Sequence, residues 1–415
     1  MKILMFTDRF PPEVRSSAHL FHDLARLFQL RGHEVRVITK VPSKYTAQDA
    51  SGAGRPRNGW DSVEGVAVRR VRWVPFLNGS RAVRALDHLT LWLAFASASR
   101  EWPAADIALI YSPPLPLALA GGIYHRWYRT PFVLNVQDLY PQTVVDLGLL
   151  RNPVAIKAAE RLESTAYRLA KGIVVHSPGN QDFLVQRKRI PAEKVRVVYN
   201  WVDLERIRPG VKENGFRQEH GLTGRFVVSF AGLMGYAQDL TTVIVAAESL
   251  QHRPQIVFLL VGEGVREAHW RALVAARGLR NVLFLPMQPK ESYARLLAAS
   301  DVCLVPLAPE LRTPVVPGKL QSIMASGRPV IATLHLGGDA KKIIEQAQCG
   351  YALEPGDVRG FCDAVLQLYQ DRGLAEHLGA DGRTYAERHF SLSACGRAYE
   401  QLFEQILAAG PERSA

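Results

Sequence analysis

The chain lacks an apolar run of the roughly 18 uninterrupted residues that a spanning helix requires. The nearest run, LTLWLAFASA at 89–98, is much shorter. The opening MKILMFTDRF is too short for a signal-peptide core and is instead typical of a first β-strand. The four cysteines, Cys303, Cys349, Cys362 and Cys395, include no pair at metal-ligand spacing. We therefore expect a cytoplasmic protein with neither a spanning helix nor a structural zinc site.

Motifs of several other protein classes are missing as well. No GxGxxG motif is present, so nothing supports a Rossmann dehydrogenase. No Asp-x-Asp pair or Cys/His cluster lies at a predicted ligand edge, so we expect no metal and no cofactor. A protein that binds nucleic acid without catalysis is the alternative outside the enzymes. It has no recognised DNA or RNA module in its favour, and the aromatic residues form no stacking platform.

Charge is unevenly distributed along the chain. The formal net charge is +12, and residues 1–200 hold 28 Lys and Arg against 16 Asp and Glu. The remaining residues are balanced, so the whole excess lies in the first half. Such asymmetry favours an anionic partner for that half, namely a membrane surface, a nucleic acid or a phosphorylated acceptor. A basic surface without a specific partner is the alternative.

Short apolar runs alternate with helical patterns, and the length of 415 residues favours two domains. The predicted strands are 2–7, 34–39, 106–112, 131–136, 172–177, 194–200, 225–232, 255–262, 281–286, 302–307 and 329–334. Strands separated by helices form βαβ units and parallel sheets. We therefore predict an α/β protein of two doubly wound, Rossmann-like domains, 1–205 and 206–391, facing each other across a cleft. A last helix within 392–415 is expected to cross back onto the first domain.

A lysine opens a predicted helix in VVPGKLQSIMASGRPVIAT, residues 315–333. A cation in the first turn of a helix is unfavourable unless an anion compensates it, and a diphosphate ligand would do so. Gly232 and Gly235 follow one strand and Gly262 follows another, where glycine lets backbone amides approach a phosphate. Because tight turns also use glycine and an exposed lysine costs little, each loop alone has a structural alternative. Together with Pro317–Lys319 they predict a phosphate site on one sheet edge.

In the first half, Asp138 follows the predicted strand 131–136, at the edge where ligands bind. Its carboxylate could accept a proton from an acceptor hydroxyl, and the alternative role is a helix N-cap. The loop DRFPPEVRSS offers an anion site at the following helix start, formed by Arg15, Ser16 and Ser17. A turn with an exposed arginine is the alternative there.

Residues 69–102 combine basic and aromatic side chains around an apolar helix. This combination predicts contact with an anionic bilayer. Packing of the same helix between the sheet and the tail is the alternative. The predicted membrane residues are Arg69, Arg70, Arg72, Trp73, Phe76, Arg81, Arg84, Trp92 and Phe95.

The order and spacing of several segments resemble a known family over essentially the whole chain. The segments are RFPPE, RGHEVRVIT, VQDLYPQTVVDLGLL, VVYNWVD, FAGLMGYAQDL and PGKLQSIMASGRPVIA. They resemble the retaining GT-B glycosyltransferases of the "glycosyl transferases group 1" family. The nearest subgroup is that of bacterial O-antigen and capsule enzymes of the L-fucosamine transferase type.

The resemblance implies a nucleotide-sugar donor in the second domain, an acceptor in the first, and a metal-independent, retaining transfer. Asp138 and Lys319 are the expected catalytic residues, and Arg15, Ser16, Ser17 and Asp138 the expected acceptor residues. The expected donor residues are Gly232, Gly235, Tyr236, Gly262, Leu285, Met287, Gln288, Pro317, Gly318, Lys319 and Ser322. Pro314 and Ser322 occupy the positions of the family's glutamate pair, and Gln137 that of a catalytic histidine.

The expected reaction transfers a sugar, from a UDP-sugar, to a polyprenyl-diphosphate-linked acceptor at the cytoplasmic face of the inner membrane. Such a reaction belongs to cell-surface polysaccharide biosynthesis. Two alternatives keep the fold. One is a glycosyltransferase with a soluble acceptor, and the other is a nucleotide-sugar 2-epimerase.

Overall fold

The computed structural model describes residues 1–13, 16–42, 58–72, 81–314 and 316–410, with backbone only at 16–17, 81–89 and 290–291. The chain divides into two compact units. The first comprises Met1–Val145, Leu150–Tyr199 and Leu392–Ala415. The second comprises Asp146–Leu149 and Asn200–Ser391. The main crossing between the units, at 199/200, lies six residues before the boundary predicted from sequence.

The first unit contains an eight-stranded sheet in the order β3-β4-β2-β1-β5-β6-β7-β8. All neighbours are parallel except the antiparallel pair β3 and β4. Its strands are β1 (Lys2–Phe6), β2 (Glu34–Lys40), β3 (Gly59–Val63), β4 (Val66–Val71), β5 (Ile107–Ser112), β6 (Phe132–Val136), β7 (Gly172–Val175) and β8 (Val195–Val197). Since β5 to β8 are buried apolar runs, the sequence identifies them readily. The β3–β4 hairpin was not predicted, because β3 is largely exposed and β4 contains two arginines.

The second unit contains a six-stranded, all-parallel sheet in the order β11-β10-β9-β12-β13-β14. Its strands are β9 (Phe226–Ala231), β10 (Ile256–Val261), β11 (Val282–Leu285), β12 (Val302–Pro306), β13 (Val330–Thr333) and β14 (Gly350–Leu353). The first five correspond to predicted strands, and β14 was missed. The chain order reverses between β9 and β12, and ligands bind beside such a reversal in doubly wound sheets. The prediction of two Rossmann-like α/β domains is therefore confirmed.

Helices connect the strands and cover the sheets. In the first unit they are Ser16–Leu30, Arg81–Ser99, Leu117–Tyr128, Pro153–Leu169, Pro178–Asp182 and Leu392–Ala408, with a π-helical turn at Phe183–Arg187 and a 3-10 turn at Ala192–Lys194. A short helix, Gln142–Asp146, ends at the border of the two units. In the second unit they are Gly215–Glu219, Leu240–Ser249, Glu267–Ala276, Lys290–Ala299, Gly318–Ala325, Asp339–Gln346, Val358–Gln370 and Arg372–His389.

The last helix, Leu392–Ala408, packs within the first unit. Glu400 forms an ion pair with Arg31 and a hydrogen bond of 3.0 Å with the Nε2 atom of His33. The ring centroids of Phe403 and Phe28 are 5.8 Å apart. The final segment of the chain therefore completes the core begun by the first two strands.

The predicted membrane surface is wrong for the residues that can be assessed best. Phe95 is fully buried in the core of the first unit, so it faces the sheet and not solvent. Arg70 is also fully buried, because its guanidinium donates to the Asp61 carboxylate at 2.8 Å and to the Pro11 carbonyl at 2.7 Å. A buried arginine needs such partners.

Other members of that predicted surface are paired, packed or undescribed. Arg69 forms an ion pair with Glu101 at 2.9 Å, and Trp92 packs against the core. Arg72 is exposed. Trp73 and Phe76, and the side chains of Arg81 and Arg84, lie outside the described residues. In the part of the chain that the structure describes, no helix combines the length and apolarity that crossing a membrane requires.

Candidate functional site

Two loops meet at the reversal of strand order in the second unit. One is the glycine-containing loop after β9, and the other is the connection from β12 to the helix Gly318–Ala325. A Cβ atom placed on Gly232 would lie 3.4 Å from the Nζ atom of Lys319. The structure therefore brings together two of the three loops that the sequence assigned to a phosphate site.

Lys319 has an unusual environment for a lysine. Its Nζ atom lies 4.3 Å from the ring centroid of Phe230, and the adjoining cavity is lined by neutral residues that include Tyr293 and Cys303. Burial lowers the pKa of Lys319 from 10.5 to about 8. Among the described residues, no carboxylate forms an ion pair with it. A partly buried cation at a helix start, without a counter-ion from the protein, is a suitable partner for an anionic ligand.

The third predicted loop, after β10, interlocks with the first. The backbone N–H of Gly232 donates to the Val261 carbonyl at 2.9 Å, and Met234 N–H donates to Glu263 at 2.9 Å. A Cβ on Gly262 would lie 1.8 Å from the Gly232 carbonyl oxygen. Gly262 also has φ +145°, a conformation that side chains disfavour. Glycine is therefore required at position 262, because the two loops pack directly against each other there. Gly262 thus supports the Gly232 loop.

The remainder of the Gly232 loop leads into the helix Leu240–Ser249. The Gly235 N–H donates to the Gln238 side-chain oxygen at 3.1 Å, which orients the turn. Asp239 caps the helix by accepting from the backbone N–H groups of Thr241 and Thr242. Tyr236 lies at the surface of the loop, with 45% of its area exposed. This loop thus presents an aromatic ring and no cation of its own, and the Gly232, Met234 and Gly235 amides are already bonded within the protein.

Other predicted donor residues also lie at the carboxyl ends of the strands in this sheet. Leu285 ends β11 and accepts a hydrogen bond from Gly262 N–H at 3.0 Å. Met287 and the partly buried Gln288 follow it, and the Gln288 amide donates to the Pro286 carbonyl at 3.0 Å. Pro317 and Gly318 begin the Lys319 helix, and Ser322 lies one turn further along it.

Arg266 is a candidate that the sequence reasoning missed. Its backbone N–H donates to the Met234 carbonyl at 3.0 Å, and its guanidinium lies 6.0 Å from the Tyr236 ring and 5.6 Å from the Trp270 ring. Its Nε atom is buried and has no hydrogen-bond partner among the residues that the structure describes. The sequence analysis assigned only Lys319 as a cation of the phosphate site, whereas this one comes from the loop after β10, where VGEGVRE was the available signal.

In the first unit, Asp138 lies two residues beyond the end of β6, at the ligand edge of that sheet. Its side chain is exposed, and within the described chain it has neither a hydrogen-bond nor an ion-pair partner. It does not cap the helix Gln142–Asp146, so the N-cap alternative is wrong. Arg15 and the side chains of Ser16 and Ser17 lie outside the described residues.

Comparisons with known proteins agree with this architecture. The family model "Glycosyl transferases group 1" matches residues 225–371, and the model "Glycosyl transferase 4-like domain" matches residues 17–201. The chain is 26% identical over 402 residues to the colanic acid biosynthesis glycosyl transferase WcaI, as that protein of Escherichia coli K12 is named. The alignment covers 94% of this chain and 96% of that relative.

Solved structures show the same fold. Sucrose-phosphate synthase from Thermosynechococcus elongatus superposes with a TM-score of 0.78 and 17% identity, covering 99% of this chain and all of that one. HepE of Anabaena, solved in complex with UDP-glucose, gives a TM-score of 0.73 and 19% identity, covering 98% of this chain and 100% of that chain. The protein has the GT-B fold and belongs to the group 1 glycosyltransferases.

Proposed function

We propose that the protein transfers a sugar from a UDP-sugar to a lipid-linked acceptor during the biosynthesis of a bacterial cell-surface polysaccharide. The observation that carries the donor assignment is the unpaired Lys319 ammonium beside the Gly232 loop. The name of the relative WcaI supports the polysaccharide context, and the UDP-glucose complex of HepE supports the nucleotide.

In this proposal the second unit binds the donor diphosphate. The Lys319 ammonium beside the Gly232 loop contacts the phosphate oxygens, and Arg266 adds a second cation from the neighbouring loop. These groups stabilise the negative charge that develops on the diphosphate as the glycosidic bond breaks, because fixed donors need no reorganisation at that moment. This electrostatic role needs no metal ion.

The first unit binds the acceptor, with Asp138 at its ligand edge. The free Asp138 carboxylate is suited to accept the proton of the acceptor hydroxyl or to orient that hydroxyl. We propose transfer with retention of anomeric configuration, on the strength of the family resemblance. A soluble acceptor is the second candidate, since an exposed carboxylate at the edge of a sheet serves either acceptor equally well.

We further propose that the protein binds reversibly to the inner membrane through the amino-terminal half of the helix Pro153–Leu169. Val154 is 76% exposed there, and Lys157 and Arg161 are exposed on the same helix. An exposed apolar residue flanked by cations is complementary to an anionic bilayer, to which each basic residue contributes about 1 kcal/mol. This helix is the proposed membrane contact in place of the predicted surface that included Arg70 and Phe95, which are buried.

The donor assignment is tested by a thermal-shift screen of UDP-, GDP- and dTDP-sugars on the whole chain. A ligand that binds only the folded state raises the melting temperature, by an amount that grows with its concentration above Kd. A UDP-sugar is expected to give the largest shift and then to be consumed with a lipid-diphosphate acceptor. A response confined to GDP- or dTDP-sugars would overturn the UDP assignment, and transfer to water-soluble acceptors alone would favour the second candidate.

The membrane proposal is tested by sedimentation with anionic and neutral vesicles. The variant Val154→Asp, Lys157→Glu, Arg161→Glu should lose binding to anionic vesicles. The control Arg359→Glu, Lys342→Glu reverses two exposed charges on the second unit and should bind like the wild type. Equal binding by all three proteins would reject the helix as the contact.

A further inference from the structure

A buried polar network lies directly beneath the residues that lead to Asp138. Asn135 in β6 is fully buried, and its side-chain oxygen accepts a hydrogen bond from the Gln137 amide at 2.9 Å. Its side-chain NH2 group donates to the Tyr399 hydroxyl on the helix Leu392–Ala408. A continuous chain of hydrogen bonds thus runs from the last helix to the residue next to Asp138.

Two further elements hold the centre of this network. His176 follows β7, and its Nδ1 atom donates to the Val198 carbonyl at 2.7 Å. In the neutral ring the Nε2 atom then carries a lone pair, so it borders the Asn135 side-chain oxygen at 3.2 Å without a hydrogen bond. Burial lowers the pKa of His176 to about 4, so the ring is neutral at physiological pH. The Gln137 backbone N–H donates to the Ser112 carbonyl at 2.9 Å. The hydrogen bonds of Asn135 and Gln137 therefore join β5, β6 and the last helix, and the neutral His176 ring beside them ties the residue after β7 to the segment after β8.

Packing alone does not require a hydrogen-bond network at the position of Asn135. Asn135 occupies a strand position where an apolar residue would pack without any need for partners, since β6 is otherwise an apolar run. A buried amide is tolerated only when its groups are satisfied, and a satisfied network fixes one orientation of the groups that it joins. The network ends at Gln137. The next residue in the chain is Asp138, whose carboxylate has no partner among the described residues.

We propose that Tyr399 is a positioning residue for the transfer reaction, acting through Asn135 and Gln137 on the loop that presents Asp138. The proposal rests on the acceptor role proposed for Asp138. It makes the last helix a part of the catalytic apparatus and not merely a cover for the first unit.

Tyr399→Phe is the test variant, because it removes one hydroxyl and keeps the ring. Tyr167→Phe is the matched control: Tyr167 is also a buried tyrosine of the first unit, and its hydroxyl donates to the buried Glu163 at 3.1 Å, away from Asp138. The kcat of Tyr399→Phe is expected to fall by about tenfold to a hundredfold, the loss that a small misplacement of a reacting group causes. The KM for the donor should not change, and Tyr167→Phe should keep the wild-type kcat even if its melting temperature falls as much.

Two further measurements keep the outcome interpretable. Gln137→Met breaks the last link without touching the helix and should reproduce the kcat defect. Hydrogen exchange of the backbone amides in 137–140 should be faster in Tyr399→Phe than in Tyr167→Phe, and this readout does not require activity. A wild type without transferase activity would refute the proposed function and leave the exchange test valid. Equal kcat values and equal exchange in the two tyrosine variants would overturn the positioning role.

Discussion

A Cβ atom on Gly232 would stand 3.4 Å from the ammonium nitrogen of Lys319, although 87 positions separate the two residues in the chain. The contact joins the end of β9 to the helix that follows β12, on either side of the reversal in strand order. The Gly232 loop and a cation that has no ion-pair partner among the described residues thus lie side by side. The following predictions start from this pair.

Replacing Lys319 by methionine removes the charge and keeps most of the volume. Affinity for UDP should fall by roughly tenfold to 150-fold, the equivalent of about 1.5–3 kcal/mol for a hydrogen bond to a charged group. Affinity for uridine should not change, because uridine has no phosphate. Without ligand, the melting temperature should rise, since burial of the uncompensated cation is unfavourable. Calorimetric titration with UDP and with uridine measures the two affinities. Equal losses of affinity for UDP and uridine would contradict the phosphate contact.

Binding of UDP should depend on pH through Lys319. The pKa is lowered to about 8, so the free protein has a protonated ammonium below pH 8 and loses it above. Because phosphate binding favours the protonated form, the Kd for UDP should be constant from about pH 6.5 to 7.5 and then rise towards tenfold per pH unit above 8. Lys319→Arg should abolish the rise, since arginine remains charged. If the Kd for UDP still rises above pH 8 in Lys319→Arg, the titrating group is not Lys319.

Gly232→Ala tests the backbone requirement of the loop. Gly232 has φ +151°, and forcing an alanine into such a conformation costs about 1–3 kcal/mol. The variant should lose stability and bind UDP more weakly. Gly235→Ala is the control, because Gly235 has no positive φ and its Cβ would make only ordinary contact with Gln238 at 3.6 Å. Thermal melts with and without UDP should separate the two variants.

Arg266→Gln should weaken UDP binding more than uridine binding, by roughly tenfold if its guanidinium reaches the diphosphate. Arg271→Gln, five residues further along the chain, is the control because Arg271 already pairs with Glu267 at 2.8 Å. An equal loss for UDP and uridine in Arg266→Gln would place the guanidinium at the nucleoside instead.

Transfer should continue in excess EDTA. The physical reason is that Lys319 and Arg266 already provide positive potential at the proposed diphosphate position. Initial rates with and without the chelator, after dialysis, provide the measurement. Activity that returns only on addition of Mg²⁺ or Mn²⁺ would show that these groups are insufficient.

The sequence predicted the features that follow from local pattern. Buried parallel strands are apolar runs, so β5 to β8 and β9 to β13 were found, and glycine next to a strand end marked the loops at Gly232 and Gly262. The prediction from sequence failed where contacts between residues far apart in the chain decide the environment of a side chain. Arg70 was assigned to the surface because arginine is usually exposed, but Asp61 and the Pro11 carbonyl satisfy its guanidinium inside the fold. Arg266 and Tyr399 were missed for the same reason, since their neighbours are distant in the chain.

The helix Leu392–Ala408 also sets the order in which the protein can fold during synthesis. The first unit contains segments that precede and follow nearly all of the second unit in the chain, and about half of the 415 residues are made between them. Until that helix emerges, Phe28 lacks its aromatic partner Phe403, and Arg31 and His33 lack Glu400. The second unit, nearly all of it one continuous stretch, is complete earlier. The first unit therefore starts first and is completed last, and a chain that ends before residue 392 lacks these contacts to Phe28, Arg31 and His33.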